Sequence, residues 1–600
     1  MYEKFKNITF LYFIILMLGS CQKDVLDKMP LDVIPDPVVW NDQKLVDAYL
    51  TGGYVGTTVF TNESVDIQNM STPFFTMFYV NNVSDESKST SNFSGNAYQF
   101  KTNGLTIQGG LMEWWEAPYR VIRSMNDLIE RLPQADFEES YKQQRVAEAR
   151  FIRAFNYFYM VKRYGGVPLI TRVQQLDEPN EELMASRNLE KEVYDFVLSE
   201  AMAISEILPN SYSDADWGRA TRYAALALAS RAALYAGSIA KYGEIQLDGV
   251  LGINRAEANS YFQQSLAASK AIMDSQQFHL YEEGTNKATN FRNLFLTKRN
   301  IEVIFAKQHD GSDKEIGGAG WSYDYFQCPY PNGWANGIHD APYLEMVESY
   351  EYVDGRPGKL TAEMLDGKLW TMEELWGDKD PRFHATFYTQ DTKWQGRNLE
   401  FYNGIRTEDG SLLTTGSYLG VLTNGDQKPT QTGFGVLKYL DETKDNGDGS
   451  SAGIFGSKQD FIVFRYGEIL LNFAEAAYEL GMSGEALLAL NQIRERAGIV
   501  ALSHIDMERI RNERKVELAF EGHRYWDLRR WRLAEEYLSE NLSGIRYVLD
   551  FRTKKFEVSI RERTDGSVTP PIFEGHNYYF PITLARTASN PNLVENPGYH

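Results

Sequence analysis

A segment near the middle of the chain carries the residue types that bind sugars. Between residues 321 and 336 aromatic and amide side chains are interspersed with Gly and Pro, and the candidate binding residues are Trp321, Tyr323, Asp324, Tyr325, Tyr330, Asn332 and Trp334. Trp and Tyr offer a flat apolar ring to the apolar face of a pyranose, while Asp and Asn hydrogen-bond its hydroxyl groups. Because Gly- and Pro-rich segments form surface loops, we expect these side chains to contact a ligand.

A second candidate binding loop lies closer to the N-terminus. Residues 74–85 begin with an apolar and aromatic run and end in a polar turn that contains Asn82 and Asp85. The aromatic residues supply rings, and these two side chains supply hydrogen-bonding groups. We therefore expect Asn82 and Asp85 to contribute to ligand binding.

The familiar motifs for catalysis and cofactor binding are missing from the sequence. The chain has no GxxxxGK[ST] phosphate loop, no HExxH zinc motif and no GxSxG nucleophile elbow, and Cys328 has no CxxC partner. Carboxylate pairs such as Glu373/Glu374 and Asp378/Asp380 could serve a glycosidase, but a chain with 82 acidic residues produces such pairs by chance. We therefore predict that the protein is not an enzyme and that it uses no cofactor and no metal ion.

One charged and aromatic stretch, residues 513–532, allows two interpretations. Its residues Glu517, Glu521, His523 and Asp527 could act as acid-base groups or metal ligands. Alternatively, they could pair with the neighbouring Arg side chains and fix the packing of two helices. A glycine interrupts the stretch, so the four side chains do not share one straight helix face. We favour the packing network.

Long amphipathic helices must position these segments. Apolar residues recur at every third or fourth position and predict helices over residues 113–132, 145–164, 189–208, 219–242, 256–275, 466–480, 483–497 and 505–520. Pairs of such helices are similar to tetratricopeptide repeats, although the strict spacing of about 34 residues is absent. Residues 310–460, in contrast, are rich in Gly, Ser and Asn. The sequence therefore predicts a mainly α fold with a large irregular, loop-rich insertion.

The composition excludes several classes of protein. Hydrophobic residues make up 43% of the 600 residues and charged residues 24%, which is typical of a globular chain. The net charge of −21 repels phosphate backbones, so we expect no nucleic-acid partner. Aromatic residues are abundant, with 11 Trp, 36 Tyr and 33 Phe, and they suit binding surfaces as well as cores.

The N-terminus predicts export and a lipid anchor. Lys4 and Lys6 precede an apolar run over residues 8–18, which is typical of a signal peptide and too short to span a bilayer. Small residues then lead to Cys21, a pattern that resembles the lipobox of bacterial lipoproteins. We expect cleavage before Cys21 and acylation of Cys21, so that the lipid is the only contact with the membrane. An ordinary secreted protein is the alternative.

These features divide the chain into five regions. They are a signal peptide over 1–20, a lipid tether over 21–39, a helical N-terminal region with a loop face over 40–309, an irregular ligand-binding insertion over 310–460, and C-terminal helix pairs with a closing tail over 461–600. The tether is rich in Pro and Asp, which favours an extended chain.

Several motifs together resemble the SusD/RagB family of surface lipoproteins, from Cys21 to the end of the chain. Besides the lipobox, they are EARFIRAFNYFYMVKRYGGVPLIT at 148–171, RATRYAALALASRAALYAG at 219–237, FRYGEILLNFAEAAYELG at 464–481 with ALNQIRERAG at 489–498, IRNERKVELAFEGHRYWDLRRW at 510–531, and YYFPIT at 578–583 with NPNLVENPGY at 590–599. Gly467 replaces the usual Ala of its motif, and Ser84-Asp85-Glu86 resembles an acidic turn frequent in the family.

The resemblance implies a single SusD-like α-helical body in which four tetratricopeptide-like helix pairs support an irregular ligand-binding face. It implies a lipoprotein exposed on a Gram-negative outer membrane, paired with a TonB-dependent transporter of the SusC type. Most members of this family capture oligosaccharides or polysaccharides, and no catalysis is implied. We therefore predict a protein that binds glycans and delivers them to the transporter.

Two alternatives remain open from the sequence. One is a homologue that captures oligopeptides or proteins, for which the negative net charge would weakly favour cationic peptides. The other is a glycoside hydrolase. A clustered aromatic platform would favour glycan capture, a deep groove with backbone donors and acceptors would favour peptides, and two carboxyl groups in a cleft, one with a raised pKa, would favour a hydrolase.

Overall fold

The N-terminal part of the chain folds into long helices, as its apolar periodicity predicts. The computed structural model describes residues 39–57, 79–89, 100–102, 105–110, 112–311, 321–329, 339–414, 432–444, 456–564 and 570–599. Helices α1 to α9 are Gln43–Gly56, Tyr79–Asn82, Glu116–Arg131, Glu139–Tyr164, Asn180–Leu183, Glu190–Ser205, Arg222–Tyr242, Ala258–Asp274 and Lys287–Leu294. The five predicted helices of this region are confirmed, and α4 begins earlier than predicted, at Glu139.

Small residues explain how closely these helices pack. In α7 every residue from Tyr223 to Ala240 is buried, and most of them are Ala, Leu or Ser. A β-carbon on Gly237 would lie 2.8 Å from the ring of Phe262, so α8 approaches α7 too closely for any larger residue. The helix α4 ends at Tyr164 and is followed by Gly165, whose positive φ of 74° favours glycine.

The middle of the chain consists of short elements, which confirms the predicted irregular insertion. Its helices α10 to α14 are Tyr323–Gln327, Leu344–Glu348, Ala362–Leu365, Met372–Trp376 and Pro381–Thr386. The strands β1 to β13, counted over the whole described chain, are Ser87–Ser89, Val303–Lys307, Asp340–Pro342, Leu369–Trp370, Phe387–Tyr388, Lys393–Trp394, Arg397–Asn398, Ile405–Arg406, Leu412–Leu413, Gly435–Val436, Phe461–Arg465, Gly544–Asp550 and Phe556–Arg561.

Most of these strands pair across large sequence separations. One sheet has five strands in the order β4-β13-β12-β8-β9, and the other described sheets have two strands each. In the antiparallel pair of β11 with β2, Phe461 lies opposite Lys307 and Arg465 lies opposite Val303. In the antiparallel pair of β1 with β3, Ser89 lies opposite Asp340. The pair of β11 with β2 brings together the residues that border the insertion, and the pair of β1 with β3 ties the insertion to the N-terminal region.

The C-terminal part returns to helices and packs on the N-terminal ones. Helices α15 to α20 are Tyr466–Glu479, Ser483–Ala497, Met507–Glu517, Arg524–Arg530, Ala534–Tyr537 and Leu584–Ser589. The helix α15 contacts α8, α16 and α17, while α7 contacts α6 and α8. The mainly α fold built from tetratricopeptide-like helix pairs is therefore confirmed. Among the described helices, none has both the length and the apolar character that crossing a bilayer requires.

Candidate ligand-binding face

Residues that border two stretches of the chain, 312–320 and 445–455, contact one another. We call this place the first joint. Trp321 and Gly456 form a parallel β-bridge. The backbone N–H of Ser457 donates a hydrogen bond to the carbonyl oxygen of Trp321 at 3.0 Å. A β-carbon on Gly311 would lie 3.1 Å from the carbonyl oxygen of Gly456. The described ends that flank 312–320 and 445–455 therefore lie side by side.

Hydrogen bonds around Asp340 form a second such place, which we call the second joint. The backbone N–H of His339 donates to the carbonyl oxygen of Phe326 at 2.9 Å. The side-chain amide groups of Asn81 and Asn82 donate to the carboxylate of Asp340 at 3.0 and 2.8 Å. The short helix α2 and the strand β3 are thereby held together.

Two of the predicted sugar-binding aromatics lie buried at the first joint, and their contact with a ligand stays a prediction. Trp321 is 1% exposed and Tyr323 is 3% exposed. The indole of Trp321 stacks on the ring of His309 at 5.0 Å and packs against the rings of Tyr323, Tyr439 and Phe461. These rings form an aromatic cluster that stabilises the joint, because stacked aromatic pairs pack well in the absence of water.

The predicted polar residues at the joints are also interior. Asp324 accepts hydrogen bonds from the backbone N–H of Asp441 at 2.8 Å and from the side-chain amide of Gln459 at 3.0 Å. Asn82 is 1% exposed and its amide is engaged by Asp340. Both side chains hold the chain together, and their role in ligand binding stays a prediction.

The last predicted residue of the N-terminal segment, Asp85, is part of a buried ion pair. Its carboxylate accepts hydrogen bonds from the guanidinium of Arg524 at 2.8 and 2.9 Å and lies 3.1 Å from the ammonium of Lys515. Burial alone would raise the pKa of Asp85, but the two cations outweigh burial and hold its pKa well below the ordinary value. Asp85 therefore positions α2 against α18, and its role in ligand binding stays a prediction.

The remaining predicted residues divide into two groups. Tyr325 is 2% exposed and packs edge-on against Phe326 at 5.2 Å, and its contact with a ligand stays a prediction. Tyr330, Asn332, Trp334 and the lipid-anchor residue Cys21 lie outside the described residues, and their roles stay predictions.

The described surface beside the first joint presents an aromatic residue that sequence reasoning missed. Trp217 is partly exposed, and the guanidinium of Arg299 lies over its indole at 5.1 Å. The same guanidinium makes an ion pair with Asp214 at 2.8 Å. A partly exposed indole next to an Arg–Asp ion pair can stack on a sugar ring, while the charged side chains hydrogen-bond its hydroxyl groups.

The turn that carries Trp217 is fixed at both ends. The side-chain amide of Gln308 donates to the carbonyl oxygen of Trp217 at 2.6 Å, three residues before Gly311. The hydroxyl of Tyr54, three residues before Thr57, accepts a hydrogen bond from the backbone N–H of Ala220 at 2.9 Å. The turn thus lies between Thr57 and Gly311, each of which is the last residue of a described stretch of the chain.

We define the loop-end face as the exposed side chains Asp214, Arg299 and Gln308 together with the partly exposed Trp217. The signal for it in the sequence was an indole in a short Asp- and Gly-containing turn between two helices. That signal is the same one that selected Trp321 and Trp334, but the turn is too short to be recognised as a binding segment.

The charged stretch 513–532 forms the predicted packing network. Its four candidate residues are all buried, namely Glu517, Glu521, His523 and Asp527. Arg465 donates hydrogen bonds to the carboxylates of Glu517 and Glu521 at 2.7 Å, and Arg530 donates to Asp527 at 2.7 Å. Burial lowers the pKa of His523 well below its ordinary value, so this ring is neutral. In the part of the chain that the structure describes, His, Cys, Asp and Glu side chains form no group of three that could hold a metal ion.

Three buried carboxyl groups near the joints have raised pKa values. Burial raises the pKa of Asp340 and of Glu86 to about 7 and that of Asp324 to about 6. Each carboxylate accepts hydrogen bonds from protein groups and is at most 1% exposed. They are enclosed in the interior, and so they do not form the pair facing a cleft that a glycosidase needs.

These carboxyl groups predict a pH dependence of stability. The carboxyl of Asp340 ionises near pH 4 in the unfolded chain and near pH 7 in the folded one, so the folded state binds the proton more tightly. Its contribution to the free energy of unfolding therefore falls as the pH rises from about 4 to about 7, by a few kcal/mol at most. We expect Asp340→Asn, which stays neutral, to flatten this part of the profile in urea unfolding.

The control for this measurement is Asp177→Asn, because Asp177 is exposed. We expect the control to follow the wild-type profile. A profile for Asp340→Asn that runs parallel to that of the wild type would show that Asp340 does not retain its proton in the folded state.

Comparison with known proteins decides the family. A model described as the SusD family matches residues 301–599. A second model, described as starch-binding and associating with the outer membrane, matches residues 26–234. The chain belongs to the SusD/RagB family. The resemblance stated from the sequence motifs is therefore confirmed.

Relatives of this family member are similar over most of its length. The SusD-like protein P2 of Formosa agariphila is 23% identical over 525 residues, which cover 83% of each chain. A SusD-like protein of Bacteroides ovatus is 24% identical and covers 72% of this chain and 68% of its own.

Solved structures of SusD-like proteins have the same fold. One from Bacteroides fragilis is 26% identical, covers 95% of this chain and all of its own, and has a TM-score of 0.73. A laminarin-binding SusD-like protein is 22% identical, covers 93% of this chain and all of its own, and has a TM-score of 0.60.

Proposed function

We propose that the protein binds oligosaccharides or polysaccharides at the cell surface and delivers them to a TonB-dependent transporter of the SusC type. The observation that carries the proposal is the loop-end face, where the partly exposed indole of Trp217 lies next to the guanidinium of Arg299, which pairs with Asp214. This combination of ring, cation and anion is the kind of surface on which a pyranose binds. Relatives named as carbohydrate-, laminarin- or glycan-binding proteins support the same ligand class.

The proposed location is the outer face of the outer membrane. A family description that includes association with the outer membrane supports this location. Acylation of Cys21 would anchor the folded body, and residues 22–38 would connect the anchor to helix α1. The proposed activity is binding without catalysis, because the buried carboxyl groups with raised pKa values are used in packing and relatives are named as binding proteins.

The proposal predicts that Trp217 contributes directly to glycan affinity. We expect Trp217→Ala to weaken binding of an oligosaccharide by roughly thirtyfold, since truncating an aromatic anchor costs about 2 kcal/mol. Isothermal titration calorimetry with the soluble protein from Gln22 onward measures this change. The free energy of unfolding should change little, because Trp217 is only partly buried.

The matched control is Trp370→Ala. Trp370 is also partly exposed and also lies beside a cation, with the ammonium of Lys368 at 5.7 Å from its ring, but it belongs to the five-stranded sheet. We expect the control to bind as the wild type does. Equal glycan affinities for Trp217→Ala and Trp370→Ala would show that the loop-end face is not the binding site. Binding of cationic peptides but of no glycan would favour the peptide-capturing alternative.

A further inference from the structure

We propose that a cleft beside the C-terminal helix α20 is a second saccharide-binding site, which takes one or two neutral sugar rings. The cleft has a volume of about 380 Å³, within the usual range for small-molecule sites. Its walls come from the start of α3, from residues 168–185 and from α20 with the residues that follow it. None of its lining residues belongs to the loop-end face.

Hydrogen bonds between these three parts hold the cleft open. The hydroxyl of Tyr119 donates to the carbonyl oxygen of Pro168 at 2.9 Å. On the opposite wall, the side-chain amide of Asn590 donates to the carbonyl oxygen of Ala185 at 3.0 Å. A site fixed in this way loses little conformational freedom when a ligand binds, which favours affinity for a small ligand.

One wall of the cleft is aromatic. The rings of Trp115 and Tyr119 lie 5.5 Å apart at an interplanar angle of 63°, and Tyr164 supports Trp115 from the interior at 5.1 Å. The guanidinium of Arg586 lies 5.1 Å from the indole of Trp115 and makes an ion pair with Glu113. Trp115 remains partly exposed, so its ring can contact a sugar.

The other lining groups are mixed in polarity. Glu116, Gln174 and Arg586 bring carboxylate, amide and guanidinium groups to the cleft, and Ile170 and Leu183 bring apolar surface. The guanidinium of Arg586 is already neutralised by its ion pair with Glu113, so the cleft offers little attraction to an anionic ligand. A pyranose has an apolar face and a rim of hydroxyl groups, and it therefore fits this lining better than a hydrocarbon chain or a strongly charged ligand.

A second site would change how the protein holds a polymer. When two sites on one body bind the same chain, the second contact forms at a high effective concentration, and overall affinity rises by about a hundredfold or more. Short oligosaccharides would instead fill the two sites independently. The cleft therefore predicts two binding events for short ligands and stronger retention of long ones.

The test fills the cleft without removing any packing. Ala585→Trp places a large side chain in the cleft, and Ala588→Trp places the same side chain on α20 at an exposed position outside the lining. Both variants are made in the Trp217→Ala protein, so that binding at the loop-end face is already weakened. Saturation-transfer NMR with a panel of neutral mono- and disaccharides at millimolar concentration detects the remaining binding.

We expect the Trp217→Ala protein and its Ala588→Trp derivative to bind at least one sugar of the panel, and the Ala585→Trp derivative to lose at least nine-tenths of that signal. Equal signals from the two derivatives, or no signal from the Trp217→Ala protein, would overturn the second site. Failure of the loop-end face is a separate outcome, because in that case Trp217→Ala alone leaves polysaccharide binding unchanged while Ala585→Trp alone abolishes it.

Discussion

Replacing Arg465 with methionine is expected to lower the free energy of unfolding by about 3–5 kcal/mol, because the substitution removes a buried cation that three buried carboxylates share. The guanidinium is 1% exposed and lies among three carboxylates. It donates to Glu302 and Glu517 at 2.7 Å and to Glu521 at 2.7 and 2.8 Å. Burial favours the neutral forms of Glu517 and Glu521, but the cations outweigh burial and lower the pKa of both.

The same network explains a departure from the family motif. A β-carbon on Gly467 would lie 2.2 Å from a guanidinium nitrogen of Arg465 and 2.9 Å from the carboxylate of Glu302. The usual Ala would therefore displace side chains that several hydrogen bonds hold in place.

The network also predicts a dependence of stability on pH. Because the carboxylates of Glu517 and Glu521 have lowered pKa values, the stability that they contribute is present above their unfolded pKa of about 4 and is lost as the pH falls below it.

The control for Arg465→Met is Arg356→Met. Arg356 also pairs with a carboxylate, Asp354, at 2.7 Å, but both side chains are more than half exposed. Solvent screens such pairs, so we expect this control to unfold at the wild-type urea concentration. If Arg465→Met also unfolded at that concentration, the buried network would not stabilise the fold.

Trp321→Ala is expected to destabilise the protein by about 3–5 kcal/mol, which is the usual cost of deleting a buried aromatic side chain. The indole is 1% exposed and packs against four rings of the aromatic cluster. Its removal leaves a cavity at the first joint, where the backbone of Trp321 pairs with Gly456. The measurement is urea unfolding followed by circular dichroism.

The comparison of Trp321→Ala with Trp217→Ala distinguishes a residue that stabilises the fold from a residue that contacts the ligand. We expect the first variant to lose stability, and the second to keep stability and to lose glycan affinity. Wild-type stability of Trp321→Ala combined with lost binding would place Trp321 in contact with the ligand, as the sequence pattern alone predicted.

The helices could be predicted from the sequence because their signals are local. In α7, for example, a run of Ala and Leu with Gly237 at a close helix contact indicates both the helix and its burial. The start of α4 was the weaker prediction, because its first residues, Glu139–Gln144, are polar and lack apolar periodicity.

The roles of the site residues could not be predicted from local signals. Asp85 pairs with Arg524, which lies 439 residues further along the chain. Trp321 is buried by rings of residues that precede it and follow it at a distance, such as His309 and Phe461. Residue types alone indicate that a ring or a carboxylate is present, but burial and pairing depend on contacts that form only in the fold.

The most direct test of glycan capture at the loop-end face is retardation of the soluble protein, from Gln22 onward, in gels that contain a panel of polysaccharides. We predict that the wild type and Trp370→Ala are retarded by at least one polysaccharide, and that folded Trp217→Ala migrates closer to its position in a gel without polysaccharide. Equal retardation of all three proteins would contradict the site, and no retardation by any polysaccharide would contradict glycan capture.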